Sequence, residues 1–120
     1  MAATLPKAER LSGRSAIAAL MSGGRWEHTA HLRCCFLIGN GLEFNRIMVS
    51  VPKRSFKRAV RRNLLKRRMR EAYRTQKDLL PARESAGGTD LMFVFNASEV
   101  APFDTIREEM SFLLKKIAAR

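Results

Sequence analysis

The stretch from Lys53 to Arg74, KRSFKRAVRRNLLKRRMREAYR, constrains this chain more than any other. It contains no glycine or proline and is rich in Leu, Arg, Lys, Met and Ala, residues that lose little on entering a helix. At about 100° per residue, Leu65, Met69, Ala72 and Tyr73 fall on one apolar stripe. The pattern predicts a long helix from about Phe56 to Leu80 that lays this stripe on a sheet. The opposite arc carries Asn63, Lys66, Arg67, Arg70 and Arg74, with Arg62 on its flank. The segment holds eleven Lys/Arg and one acid, Glu71, and so carries +10 of the chain's net +12; the other 98 residues have twelve bases and ten acids. Cations this close repel one another, and solvated helix faces usually mix signs. The arc therefore points to a polyanion, with nucleic acid the first candidate.

The flanking sequence supplies a small α+β domain. Ser12 to Met21 reads as a short helix, capped by Ser12 or Ser15, with Ile17, Leu20 and Met21 on one face and Gly23-Gly24 as its stop. His31 to Ile38 reads as a strand: Leu32, Cys34, Phe36 and Ile38 alternate toward a core, while His31, Arg33 and Cys35 point the other way. After the turn Gly39-Asn40-Gly41 comes a second strand, Arg46 to Val51, expected to pair antiparallel with the first and ended by Pro52. Pro81 and Ala86-Gly87-Gly88 form a loop. Asp90 to Asn96 is apolar on both faces, as an interior strand would be. Pro102 and the capping-box pattern Thr105-x-x-Glu108 open a last helix with the stripe Ile106, Met110, Leu113, Leu114 and Ile117. Trp26 falls in a loop and would cap the core. The order is helix, strand, strand, helix, strand, helix in a single domain over residues 1–120, with the first eight or so expected to be flexible.

Composition narrows the class. An apolar content of 46% suits a packed globule. No apolar run is long enough to span a bilayer, and the N-terminus lacks a secretory apolar stretch. Cys34 and Cys35 are adjacent and would pair only in a strained ring. These features read as a cytoplasmic, reduced, soluble protein. His28, His31, Cys34 and Cys35 are a poor zinc set, because neighbouring strand side chains point to opposite faces.

The helix is also specific in its order of residues. Ala59-Val60-Arg61-Arg62-Asn63-Leu64-Leu65-Lys66-Arg67-Arg68-Met69-Arg70-Glu71-Ala72-Tyr73 resembles the signature helix of the bacterial ribonuclease P protein component: Ala-Val, then Arg-Asn-Arg, Lys-Arg, and Arg-Glu with an aromatic. Arg62, Asn63, Lys66, Arg67 and Arg70 match position for position, and Ser50-Val51-Pro52-Lys53-Arg54 resembles the family's strand end followed by paired bases. The third residue of Arg-Asn-Arg is Leu64 here. Ile17 and Met21 stand where the family's first helix often has two aromatics.

The resemblance implies an α-β-β-α-β-α sandwich, a small mixed sheet packed by helices, like domain 2 of ribosomal protein S5. It implies a protein subunit that binds the catalytic ribonuclease P RNA and the 5′ leader of precursor tRNA. It promotes Mg2+-dependent endonucleolytic removal of that leader, with the metal held mainly by RNA and substrate and no protein partner required. The RNA-binding set is Lys53, Arg54, Arg58, Arg61, Arg62, Asn63, Lys66, Arg67, Arg70 and Arg74. The leader-binding candidates are Ile17, Met21, His31, Arg33 and Cys35. No protein residue is expected to be catalytic: no Asp-x-Asp or Glu-x-Asp cluster is present to hold a metal pair. Neutralising about five phosphates would give a log K against log salt slope near −3.5 to −4.5. Rival readings are a structural RNA-binding protein, which would not stimulate tRNA maturation, a sequence-specific DNA binder, for which only Asn63 offers base readout among the cations, and a self-sufficient nuclease. Phe93 and Phe95 share a strand face, as base-stacking aromatics do, but their apolar surroundings favour the core.

Overall fold

A computed structural model describes residues 5–120. A 3-10 turn (Lys7–Glu9) leads to α1 (Arg14–Gly23), β1 (Arg25–His28), β2 (Leu32–Ile38), β3 (Arg46–Ser50), α2 (Ala59–Arg74), a 3-10 turn (Lys77–Leu79), β4 (Thr89–Phe95) and α3 (Phe103–Ala118). The strands form one mixed sheet in the order β1-β2-β4-β3: β2 is antiparallel to both neighbours, and β3 runs parallel to β4.

Two expectations fail here. β2 and β3 do not pair, because β4 lies between them. The connection 39–45 is long enough to pass over the start of β4 and is fastened to it: the Gly39 and Asn40 amides donate to the Gly88 carbonyl at 3.0 and 2.9 Å, and the Gly88 amide donates back to Leu42 at 2.8 Å. A Cβ on Gly88 would stand 1.9 Å from the Phe44 carbonyl oxygen, so only glycine admits this crossing. The second failure is β1, a strand where the sequence suggested a loop. It is four residues long, too short to show a period, and its central Glu27 faces inward to ion pairs with Lys116 (3.1 Å) and Arg120.

The sheet has two unequal faces. Leu32, Cys34 and Phe36, Ile47 and Val49, and Leu91, Phe93 and Phe95 face α2 and α3 in the main core. The α2 stripe Leu65, Met69, Ala72, Tyr73 and the α3 stripe Ile106, Met110, Leu113, Leu114, Ile117 are all buried there, as periodicity predicts. Burial pushes the Tyr73 phenol up to about 12. On the other face, a smaller cluster of Leu11, Leu20, Cys35 and Met92 holds α1 over the middle of the sheet. Gly24 makes the close junction from α1 to β1: a Cβ there would meet the Leu20 carbonyl at 2.4 Å and the Cys35 sulfur at 2.7 Å. Its φ is −79°, so space rather than backbone conformation requires the glycine.

Helix ends differ from expectation. α1 begins after Gly13 rather than on a serine cap, and α3 begins at Phe103 after Pro102 with no side-chain cap bond. The expected flexible start falls partly on residues 1–4, outside the described residues; Leu5 is buried in the main core. The Leu11 amide donates to Ile47 at 2.7 Å, and Arg10 bridges Ile47 in parallel, so this segment covers the outer edge of β3. The β1–β2 turn is held by Glu109 of α3, which accepts from the Thr29 hydroxyl, from the His31 amide (2.8 Å) and pairs with His31 Nδ1 (2.6 Å). Burial raises the Glu109 pKa, but the combined hydrogen bonds from Thr29 and His31 outweigh it and hold the carboxyl below its ordinary value.

Candidate nucleic-acid interface

The basic segment does not become helical at Phe56. The Ser55 and Phe56 amides donate to the Pro52 carbonyl at 3.2 and 3.3 Å, making a turn whose Phe56 ring is buried against Phe95, centroids 5.8 Å apart. The turn leaves Lys53 and Arg54 exposed. Helix α2 then starts at Ala59 with no side-chain cap and no acid in its first turn. Its open amides and positive dipole end lie beside exposed Arg58 and Arg61, a combination that favours phosphate.

The cations of α2 fall into two groups. Arg62 folds back, and its Nη1 donates to the carbonyls of Phe56 (2.6 Å) and Lys57 (2.8 Å), closing the turn before the helix. Arg68 donates to the Ala101 carbonyl at 2.6 Å and so belongs to the packing against α3. Arg74 holds Glu71 in a bidentate pair at 3.0 and 2.8 Å, and these bonds keep the Glu71 carboxyl below its ordinary value. Lys66, Arg67 and Arg70 are in no salt bridge among the described residues, and Asn63 is exposed beside them. Around Leu64, where the family has its third cation, Arg61 lies ~60° and Arg68 ~40° round the helix on the side away from Arg67, and Arg68 is held by the Ala101 carbonyl.

A fourth cation joins this arc from outside the helix. Arg10, Arg67 and Arg70 line one cleft of about 340 Å3 with Leu5 and Glu71. The Arg10 Nε donates to the Leu5 carbonyl at 3.2 Å, which fixes the side chain beside α2. Nothing in the local pattern around Arg10 marks it, since its place depends on a bridge to Ile47, 37 positions away.

A second surface adjoins the first. Register places His28, Arg33, Val94 and Ser50 side by side on the α1 face, one from each strand, and none of the four is fully buried. The row spans ~14 Å at the usual strand spacing. It starts at Ser50, just before the turn bearing Lys53 and Arg54, and ends on β1. Of the leader-binding candidates, Arg33 lies in this row, and on α1 Met21 is 50% exposed and Ile17 half-buried. Two are corrected. Cys35 is wholly buried under α1, its thiol donating to the Leu20 carbonyl at 3.5 Å, and burial pushes the thiol pKa up. His31 precedes β2, so strand alternation does not govern it, and its ring turns to Glu109 on the side of α3. Trp26, on the same face as Arg33, was missed along with its strand.

Among the described residues, no group of three or more His, Cys, Asp or Glu is placed to hold a metal ion, and no helix is long and apolar enough to cross a membrane.

Comparison with known proteins agrees with this architecture. A family model described as Ribonuclease P matches residues 5–118. The ribonuclease P protein component of Porphyromonas gingivalis is 34% identical over 118 residues, covering 95% of this chain and 86% of that one. The ribonuclease P protein structure from Thermotoga maritima superposes with a TM-score of 0.76 at 28% identity, covering 90% of this chain and 96% of that one. The corresponding Staphylococcus aureus structure gives 0.77 at 19% identity, covering 92% and 96%, a likeness of fold.

Proposed function

The chain belongs to the ribonuclease P protein family, and from that premise we propose that it is the RNA-binding protein subunit of an endoribonuclease that matures the 5′ end of tRNA. In this reading Lys66, Arg67 and Arg70, joined by Arg10 and by Lys53 and Arg54 at the preceding turn, bind phosphates of the ribonuclease P RNA. Arginine does so through paired hydrogen bonds and lysine as a point charge. Asn63 contacts a ribose hydroxyl or base edge. The 5′ leader of precursor tRNA lies across the open row Ser50–Val94–Arg33–His28, beside α1. The observation that carries the proposal is the arc Lys66, Arg67, Arg70, in no salt bridge among the described residues, continuing through exposed Lys53 and Arg54 to a partly exposed strip of sheet.

Bond cleavage is assigned to the RNA. Magnesium supplies Lewis-acid activation and charge neutralisation in phosphodiester hydrolysis, and in this reading it is held mainly by RNA and substrate. The protein's part is to neutralise backbone charge and fix the leader. The test is leader cleavage of a precursor tRNA by a bacterial ribonuclease P RNA at low magnesium, with and without the protein. Stimulation that is lost when Lys66, Arg67 and Arg70 become alanine supports the proposal. Tight RNA binding without stimulation would replace it with the structural RNA-binding reading.

A further inference from the structure

We infer that Trp26 is a stacking platform for a single-stranded nucleobase, and that it supplies on β1 the aromatic surface that α1 lacks. The inference rests on the leader path proposed above and adds its far end. Trp26 is the only tryptophan in the chain. It pairs with Cys35 in the β1–β2 register, so it lies on the α1 face, one step along the strand from the row that ends in His28 and Arg33. The Arg33 guanidinium carbon stands 4.4 Å from the centroid of the indole ring, a cation–π contact that fixes the ring. Even so, Trp26 is 39% exposed. The indole is therefore both held in place by Arg33 and open to a ligand.

Charge selects the occupant. On the same face as the ring lie Arg33 and exposed His28, while Arg25 alternates to the other face. The nearby carboxylates are engaged elsewhere: Glu27 points into the other face, paired with Lys116 and Arg120, while Asp90 is held by Arg46 at 2.7 Å and by Asn40 at 2.9 Å. A planar, π-rich ligand carrying negative charge fits this setting, and a nucleotide in single-stranded RNA is both. Arg33 would then hold the indole and meet the adjoining phosphate. The position follows from the fold: an RNA strand entering at Ser50 on β3 passes over β4 and β2 before it reaches Trp26 on β1. Ile17 and Met21 offer apolar contact on α1, but neither can stack.

The test uses holoenzyme reconstituted with a bacterial ribonuclease P RNA and precursor tRNA with and without a 5′ leader. Because the chain has one tryptophan, its fluorescence reads this site alone. The leader-bearing substrate is expected to quench it and the leaderless one to leave it unchanged. Trp26→Ala should cut the affinity advantage of the leader about ten-fold, the size expected for one base–aromatic stack, while Trp26→Phe keeps most of it. Unchanged affinity of Trp26→Ala for leaderless substrate shows that the variant is folded and assembled. A wild-type leader advantage that survives intact in Trp26→Ala, or an absence of quenching, overturns the stacking role and leaves the leader path standing. No leader advantage in the wild-type holoenzyme overturns both.

Discussion

Arg62→Ala and Arg67→Ala remove the same charge from the same helix, yet they should fail in different ways. Arg67 is exposed and pairs with no carboxylate among the described residues. Its loss removes about one phosphate contact, so the slope of log K against log salt becomes shallower by ~0.7–0.9, and the affinity ratio between wild type and variant changes about three-fold over a four-fold change in salt. Thinning a crowded cationic face should leave stability unchanged or raise it by a few tenths of a kcal/mol. Arg62 instead closes the turn before α2 through two charge-assisted hydrogen bonds, 2.6 Å to Phe56 and 2.8 Å to Lys57. Such bonds contribute ~1.5–3 kcal/mol each to buried groups. Lys57 is exposed and Arg62 half-buried, so the pair together is worth ~1–2 kcal/mol, a melting point lower by about 4–8 °C for a domain of this size. Anisotropy of labelled ribonuclease P RNA across a potassium chloride series measures the first effect, and thermal unfolding followed by circular dichroism the second. If Arg62→Ala melts with the wild type while Arg67→Ala melts lower, the division into structural and RNA-facing cations is wrong.

Three further outcomes are expected. Arg10→Ala should make the salt slope shallower by ~0.7–0.9 without altering the preference for leader-bearing substrate; a loss confined to that preference would place Arg10 elsewhere. Leu64→Arg should restore a cation beside Arg67 and steepen the slope by a similar ~0.7–0.9, measured in the same titration. Glu109→Gln should cost ~1–2 kcal/mol at neutral pH, read by urea unfolding. Because the folded carboxyl lies below the ordinary 4.5, the stabilisation it contributes is complete above about that pH and is lost as pH falls through the depressed value. The acid-side loss of stability should therefore be weaker in Glu109→Gln; identical acid profiles would remove Glu109 from the account.

Local pattern revealed the parts of this protein that local physics decides. The stripes of α2 and α3 and the doubly apolar β4 could be read because helix and strand periods put each residue on a definite face. Pairing was harder. A turn signal between two strands suggests a hairpin, yet Gly88 lets the connection ride over β4, and that close approach is invisible until the distant Phe44 is in place. The charge of the interface was plain in the sequence, but its division was not. Arg62, on the flank of the arc, reads in sequence as one more cation of the set, and only the turn at Phe56 makes it structural. Arg10 and Trp26 were missed for the same reason: one is positioned by an edge bridge and the other by a strand of four residues.

The adjacent cysteines give this fold two built-in clocks. Cys34 is buried in the main core and Cys35 under α1, on opposite faces of one strand. Burial pushes both thiols up, Cys34 the more strongly, so neither reacts until its own layer opens. Lifting α1 alone would expose Cys35, whereas Cys34 must wait for the sheet to part from α2 and α3. Alkylation rates of the two single-cysteine variants would thus separate local release of α1 from global unfolding. They would also show whether a bound leader holds α1 down.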